Sequence, residues 1–135
     1  LQSPAPPPPV AAPTPKLSDT LLQNLQNTPT VAREQREQAY AKILEGQRYM
    51  WSLPRMRSQA GITNNVRMAR QAFQKAVELD PNLAEGYTAL AELMLIAPQR
   101  DMDEAIVLAG IAAKINPDNF GARRILARLY TLKSR

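Results

Sequence analysis

The side chains of this sequence that could do chemistry are its carboxylates and lysines, because it contains no histidine and no cysteine. That absence excludes zinc and haem sites built on those residues, disulfide frameworks, and nucleophiles activated by histidine. Three carboxylates are candidates, Glu45, Glu85 and Glu92, but each stands alone on a predicted helix face. We therefore predict a protein that is not an enzyme, with no catalytic residue, no cofactor and no metal ion.

The charges of the chain suggest acidic partners, but only mildly. It carries 17 basic and 12 acidic side chains, a formal net charge of +5. The basic residues cluster in two stretches, which are Arg48, Arg55, Arg57, Arg67 and Arg70, and Arg123, Arg124, Arg128, Lys133 and Arg135. Such clusters suit nucleic acid or an anionic surface, and they also occur as solvated helix faces. Aromatic residues for base stacking are not interleaved with them, so nucleic-acid binding is the minor alternative.

Residues 1–30 form a proline-rich arm that includes a short amphipathic segment. Seven of the twelve prolines lie within the first fifteen positions. Because proline fixes φ and lacks an N–H group, we expect an extended polyproline II conformation there. The arm is either a spacer or a ligand for a partner's groove, and the candidate contacts are Pro4, Pro6, Pro7, Pro8 and Pro9. Ser18 and Asp19 then cap a short helix whose apolar face carries Leu21, Leu22 and Leu25.

Residues 31–135 show helical apolar spacing throughout, which predicts an all-α domain. We expect two helices over residues 31–53 and 66–79, separated by a long loop over residues 54–65. A third helix follows Asp80-Pro81 and ends before Pro98. A capping box at Asp101 and Glu104 opens the fourth, and Asn116-Pro117 opens the fifth.

The same spacing predicts which side of each helix is buried. In the first helix the inward residues are Tyr40, Ile43, Leu44, Gln47, Met50 and Trp51. Trp51 is accordingly expected to pack in the core rather than to anchor a partner. In the fifth helix the inward residues are Phe120, Leu126, Ala127 and Tyr130. No later helix is available to cover the far side of this last helix, so we expect an exposed apolar strip there that suits docking.

Two stretches of the chain repeat each other 36 residues apart, as measured from Pro81 to Pro117. The first contains Ala69, Phe73, Ala76 and Pro81, and the second contains Ala105, Ala109, Ala112 and Pro117 at the same offsets. This pattern resembles the tetratricopeptide repeat, in which helix pairs recur every 34 or so residues. The resemblance implies antiparallel helix pairs stacked as a short α-solenoid of about two and a half repeats over residues 31–135, preceded by the extended arm.

The resemblance also implies a binding groove lined by the first helix of each pair. Carried onto this sequence, the groove positions on the third predicted helix are Glu85, Thr88, Glu92, Leu95 and Ile96. Those on the fifth are Gly121, Arg124, Arg128 and Thr131, and the first helix would contribute Gln38, Ala41, Glu45, Arg48 and Tyr49. The carboxylate clamp of some family members is not reproduced, because Glu85 and Glu92 occupy the middle. We expect a mixed groove that is acidic at its centre and basic at its far side.

These features together predict a non-catalytic protein–protein interaction module, an adaptor or structural subunit of a larger assembly. Its partners are expected to be proteins, bound through the groove and the arm. No stretch reaches the roughly 18 to 20 apolar residues of a membrane span, so membrane association would be peripheral. A proline- and alanine-rich segment before a helical domain, beginning at Leu1 rather than Met, suggests a processed protein of the bacterial envelope in preference to the cytoplasm.

Overall fold

The computed structural model describes residues 3–8, 16–27, 31–98 and 100–134, and within them the chain is all-α, as predicted. These residues form six α-helices, one 3₁₀ turn and no strand. The helices are α1 (Leu17–Asn27), α2 (Arg33–Ser52), α3 (Gln59–Leu79), α4 (Ala84–Ile96), α5 (Met102–Ile115) and α6 (Phe120–Lys133). The 3₁₀ turn, Leu53–Arg55, directly follows α2. Among the described residues, no helix combines the length and the apolar character that crossing a bilayer requires.

Side-chain caps set the starts of the later helices. The Asp101 carboxylate accepts a hydrogen bond from the Glu104 N–H at 3.0 Å, at the start of α5. The Asn119 side chain accepts one from the Ala122 N–H at 2.8 Å, at the start of α6. Each cap satisfies an N–H group that has no partner within its own helix. The helix α5 therefore begins directly after Asp101, as predicted, whereas α6 is capped by Asn119 and begins three residues beyond the predicted opening at Asn116-Pro117.

The predicted loop over residues 54–65 is wrong, because only residues 56–58 separate the 3₁₀ turn from α3. Ser58 caps α3 by accepting a hydrogen bond from the Gly61 N–H at 3.2 Å. Asn65 lies inside the helix, and its side-chain amide donates to the Tyr49 carbonyl at 3.3 Å. Gly61 and Asn65, which resemble loop residues in the sequence, are accommodated because the helix is capped before them and packs on α2.

The helices pack in chain order. Each of α2 to α5 contacts the helix that follows it, and α2 also contacts α4, as α4 contacts α6. Joint burial of one apolar stripe per helix produces a continuous core. Its largest fully buried side chains include Tyr87, Phe73, Ile43, Leu90 and Leu108. The Tyr87 hydroxyl donates to the Pro81 carbonyl at 2.7 Å, so this buried polar group is satisfied.

Two glycines allow neighbouring helices to approach closely. A Cβ atom on Gly46 of α2 would clash with the ring of Phe73 in α3, and one on Gly86 of α4 would lie 2.5 Å from Val77 Cγ1. Phe73 is 0% exposed, so its ring is enclosed on every side. The α2–α3 contact consequently depends on the absence of a side chain at position 46.

The buried faces of the first and last long helices differ from the expectation. In α2 the buried residues are Ala39, Ile43, Gly46 and Met50, whereas Tyr40, Leu44 and Trp51 are exposed. In α6 they are Ala122, Ile125 and Leu129. Phe120 and Tyr130, predicted to be buried, are 75% and 58% exposed, Ala127 is exposed and Leu126 is only half-buried. In both helices small and aliphatic residues are the buried ones, whereas the aromatic side chains of Tyr40, Trp51, Phe120 and Tyr130 are exposed.

The amphipathic segment of residues 1–30 is α1, which packs against α5 and α3. Leu21 is buried and Leu22 is half-buried, whereas the side chain of Leu25 lies outside the described residues. The N–H and Oγ of Ser18 donate to the two carboxylate oxygens of Glu104 at 2.5 and 2.7 Å. Glu104, expected to complete a capping box with Asp101, therefore caps α1 instead.

The proline-rich arm is described only over residues 3–8, which have no regular secondary structure and are exposed. Pro4, Pro6, Pro7 and Pro8 lie in this stretch, and Pro9 lies outside the described residues. The described prolines therefore leave their apolar rings accessible to solvent or to another molecule.

Replacing Gly46 by alanine tests the close approach of α2 and α3. We expect Gly46→Ala to lower the free energy of unfolding by about 1–3 kcal/mol, because the new methyl group overlaps the enclosed Phe73 ring. Gly110→Ala in α5 is the matched control, since no heavy atom lies within 4 Å of its Cβ position. That control should be neutral or stabilising by up to about 1 kcal/mol. Urea unfolding followed by circular dichroism measures both, and equal effects would contradict the packing.

Removing the Ser18 hydroxyl tests the docking of α1. Ser18→Ala should lower the free energy of unfolding by about 1–3 kcal/mol, because one oxygen of the buried Glu104 carboxylate loses its donor. The variant should also be cut faster by protease within residues 17–27. Thr20→Ala, at an exposed position of the same helix, should change stability by less than about 0.5 kcal/mol. A Ser18→Ala protein as stable as the Thr20→Ala protein would show that α1 is not held by this contact.

Candidate functional site

A groove lies between α2, α4 and α6, and we call it the α2–α4–α6 groove. Its lining residues are Met50, Trp51, Pro54, Glu92, Leu95, Ile96, Arg124, Ile125 and Arg128. Its volume is about 530 Å³, which is large enough for several side chains of a bound segment. It forms because α4 contacts both α2 and α6, so that one face of each of the three helices opens to the same side.

Five of the nine positions that the family resemblance predicts on α4 and α6 line this groove. Glu92, Leu95 and Ile96 line it from α4, and Arg124 and Arg128 line it from α6. Glu85 and Thr88 do not line it: Glu85 is exposed at the start of α4, and the Thr88 hydroxyl donates to the Ala84 carbonyl at 3.2 Å. The helical spacing places Glu85 and Thr88 two turns and one turn before Glu92, towards the other end of α4.

The α2 residues that line the groove differ from the expected ones, because none of Gln38, Ala41, Glu45, Arg48 and Tyr49 is among its lining residues. Trp51, expected to pack in the core, is 66% exposed and lines the groove together with Met50 and Pro54. The cause is the position of Gly46, which turns Ala39, Ile43 and Met50 towards the core and leaves Trp51 on an adjacent face. The 3₁₀ turn then places Pro54 beside it. The sequence signal that could have identified the packed face is a pair of small residues seven positions apart, Ala39 and Gly46.

One ion pair spans the groove, between α4 and α6. Arg124 Nη2 lies 3.9 Å from Glu92 Oε1. Burial raises the pKa of the Glu92 carboxyl above its ordinary value, and the positive charge of Arg124 opposes that rise without cancelling it. Among the described residues, no carboxylate is paired with Arg128. The groove therefore combines an apolar surface, one partly neutralised acid and an excess of positive charge.

Apart from Glu92, the side chains that line the groove are apolar or carry hydrogen-bond donors. Trp51, Leu95 and Ile96 offer apolar surface to a bound side chain, and Arg124 and Arg128 offer donors to a carboxylate. Exposed aromatic and arginine side chains are the residue types enriched at protein–protein interfaces. Within the described part of the chain, no group of three or more Asp or Glu residues is close enough together to hold a metal ion.

The second basic cluster of the sequence is spread over several elements. Arg48 lies in α2, Arg55 in the 3₁₀ turn, and Arg67 and Arg70 in α3. Only the last two share a depression, of about 360 Å³, with Thr63, Val66, Ala97 and Pro98. The Arg67 guanidinium is already bonded to the Asn64 side chain at 2.6 Å. This cluster is therefore divided among separate surfaces rather than forming one continuous basic face.

Comparison of the chain with protein-family models, with curated proteins and with solved structures gives no match. What the protein does is consequently inferred from the α2–α4–α6 groove and from the helices that form it.

The pKa of Glu92 provides a test of the groove's electrostatics. A raised pKa in the folded protein means that this group favours folding below about pH 4.3, and that the contribution is lost as pH rises through the folded pKa. At neutral pH, Glu92→Gln should therefore be more stable than the wild type, by less than about 1 kcal/mol because the group is partly solvated. Below about pH 4 the difference should vanish.

The measurement is a ¹³C NMR titration of the Glu92 carboxyl combined with urea unfolding at several pH values. Arg124→Gln is the informative control, because removing the cation should raise the pKa of Glu92 further. A wild-type pKa at or below the value of a free glutamate would contradict the burial of this carboxyl.

Proposed function

We propose that the protein is a non-catalytic interaction module of the tetratricopeptide type, an adaptor or structural subunit that binds a segment of a partner protein in the α2–α4–α6 groove. The observation that carries the proposal is the exposure of Trp51 and Ile96, at 66% and 52%, in the same groove as Arg124 and Arg128. Exposed apolar side chains grouped in one groove, beside a cation without a carboxylate partner, are characteristic of interaction surfaces.

The repeat and the packing order support a stacked, solenoid-like arrangement. The repeated positions are equally buried in the two stretches: Ala69 and Ala105, Phe73 and Ala109, and Ala76 and Ala112 are all 0% exposed. Consecutive helices contact each other from α2 to α6. Helices two apart in the chain also do so, namely α2 with α4 and α4 with α6. In repeat proteins this arrangement places alternate helices along one binding face. The groove is formed by α2, α4 and α6, which are alternate helices.

The groove favours a segment with an apolar side chain close to an acidic one. The apolar side chain would contact Trp51 and Ile96 and remove their exposed surface from water. The acidic group would pair with Arg128, which lies one helical turn beyond Arg124 on the same face of α6. Glu92 disfavours a second acid at the centre of the groove, which gives the partner's charge a defined position.

The arm would add a second contact to the same partner or hold the module at a distance from it. The exposed stretch of residues 3–8 supports either role, because its proline rings are accessible.

A protein partner in a multi-subunit assembly accounts for the groove better than nucleic acid does, since Glu92 would repel a phosphate backbone. Peripheral membrane association and an envelope location stay predictions from composition.

A peptide-display selection tests the proposal and does not require an identified partner. Random twelve-residue peptides would be selected on the immobilised wild-type chain and counter-selected on a Trp51→Ala, Arg128→Glu double variant. We expect enriched peptides that combine an aromatic or aliphatic residue with an acidic one. Their affinity should fall by about tenfold or more for each single variant, as for interface residues that dominate binding.

Val107→Ala is the matched control, because Val107 is an exposed apolar residue of α5 that does not line the groove. It should bind the selected peptides as the wild type does, and all variants should keep the wild-type circular dichroism spectrum. Failure to enrich peptides that distinguish the wild type from the double variant would refute the groove as a binding site.

A further inference from the structure

Residues 3–8 of the arm, which we call the proline stretch, carry many hydrogen-bond acceptors and few donors. The sequence there is Ser-Pro-Ala-Pro-Pro-Pro, so six backbone carbonyls accompany only two backbone N–H groups. The stretch is exposed and has no regular secondary structure, and its proline rings add apolar surface. A site that binds it must therefore supply donors and apolar contacts rather than acceptors.

The α2–α4–α6 groove contains the complementary groups. Three of its four polar side chains, those of Trp51, Arg124 and Arg128, can only donate hydrogen bonds. The fourth belongs to Glu92, whose Oε1 atom lies 3.9 Å from Arg124 Nη2. The other five lining residues are apolar. The groove thus offers donors and apolar surface, and its one side-chain carboxylate is already paired with a cation.

The shape of a proline-rich segment also suits this groove. Such segments bind in grooves lined by aromatic side chains, and Trp51 is 66% exposed here. In a polyproline II helix, which has three residues per turn, Pro4 and Pro7 lie on the same edge about 9 Å apart. Both rings of that edge can contact the groove, because its apolar side chains come from three helices and the 3₁₀ turn. Since proline fixes φ, the segment loses little conformational entropy on binding.

The position of α1 indicates which molecule supplies the proline stretch. This helix follows the stretch in the chain and packs against α5 and α3, neither of which lines the groove. Its first turn is fixed to α5, because the Ser18 hydroxyl donates to the Glu104 carboxylate at 2.7 Å. The stretch is therefore attached to the chain at helices other than those that form the groove. A second copy can place its groove on the stretch without any wrapping of the arm around its own helices.

We propose that, in the absence of a partner, the proline stretch of one copy occupies the α2–α4–α6 groove of a second copy. This inference rests on the proposed function of the groove and names what fills it before the partner binds. When each copy inserts its stretch into the groove of the other, the contacts form twice and the assembly closes at two chains. The stretch has no charged side chain and leaves Arg128 without a carboxylate, so a partner segment that brings an acid there displaces it.

A peptide with the sequence of residues 1–9 tests the contact between the proline stretch and the groove. Trp51 is the only tryptophan of the chain, so its fluorescence reports on the groove directly. Titration of the peptide into the intact chain should shift this emission to shorter wavelength, because the indole ring leaves water. A matched peptide with alanine in place of Pro4, Pro6, Pro7 and Pro8 should bind about tenfold or more weakly. No shift, or equal binding of the two peptides, would overturn the proposal.

Sedimentation of the full chain then shows whether a second copy is the occupant. Above the dissociation constant of the peptide, the wild type should form dimers, as should the control Val107→Ala, which lies outside the groove. Trp51→Ala should stay monomeric, and so should an arm variant with Pro4→Ala, Pro6→Ala, Pro7→Ala and Pro8→Ala.

Mixing the two monomeric variants provides the decisive comparison. An equimolar mixture should associate, because the arm variant supplies an intact groove and Trp51→Ala supplies an intact proline stretch. All variants should keep the wild-type circular dichroism spectrum. A wild type that is monomeric above the peptide's dissociation constant would show that the stretch binds the groove of its own chain, and it would overturn the proposal. A mixture that does not associate would do the same.

The peptides enriched in the display selection separate this proposal from the proposed function. Added in excess, they should dissociate the wild-type dimer into monomers, because both ligands need the same groove. If they bind the groove and the peptide of residues 1–9 does not, the inference about the arm is wrong and the proposed function stands. If neither binds, the groove is not a binding site and both are wrong.

Discussion

The packing of the Phe73 ring against Gly46 is the contact on which the rest of this structure depends. It brings the backbone of α2 against α3 and fixes the rotation of α2 about its axis. Because Gly46 faces α3, Ile43 and Met50 also face the core, and Trp51 is directed to the groove. A single close approach between two helices thus decides both which residues are buried and which aromatic side chain is offered to a partner.

The last helix, α6, has three faces with different surroundings. One is buried by Ala122, Ile125 and Leu129, a second contributes Arg124 and Arg128 to the groove, and the third, which carries Phe120 and Tyr130, is exposed. A helix that packs along one side only has less buried apolar surface than its neighbours to oppose local unfolding. A segment bound in the groove would therefore stabilise α6 against local unfolding.

The sequence predicted the helical class, the ends of α4 and the capped start of α5, because caps and prolines act locally. It did not predict the rotation of α2 about its axis. Two faces of this helix have the same helical spacing, one with Tyr40 and Leu44 and the other with Ala39 and Gly46. Only the close approach to Phe73 distinguishes them. The sequence also did not predict that Glu104 binds Ser18, because the two residues lie 86 positions apart in the chain. The groove residues of α4 and α6 were predicted from the family resemblance, whereas those of α2 required the structure.

Amide hydrogen exchange, resolved helix by helix, is the most direct test of the central claim that a partner segment binds in the α2–α4–α6 groove. The account predicts that a peptide enriched in the display selection slows exchange in α6, which lines the groove, and leaves exchange in α3, which does not line it, unchanged. Unchanged exchange in α6 when that peptide binds, or slower exchange in α3 alone, would contradict the account.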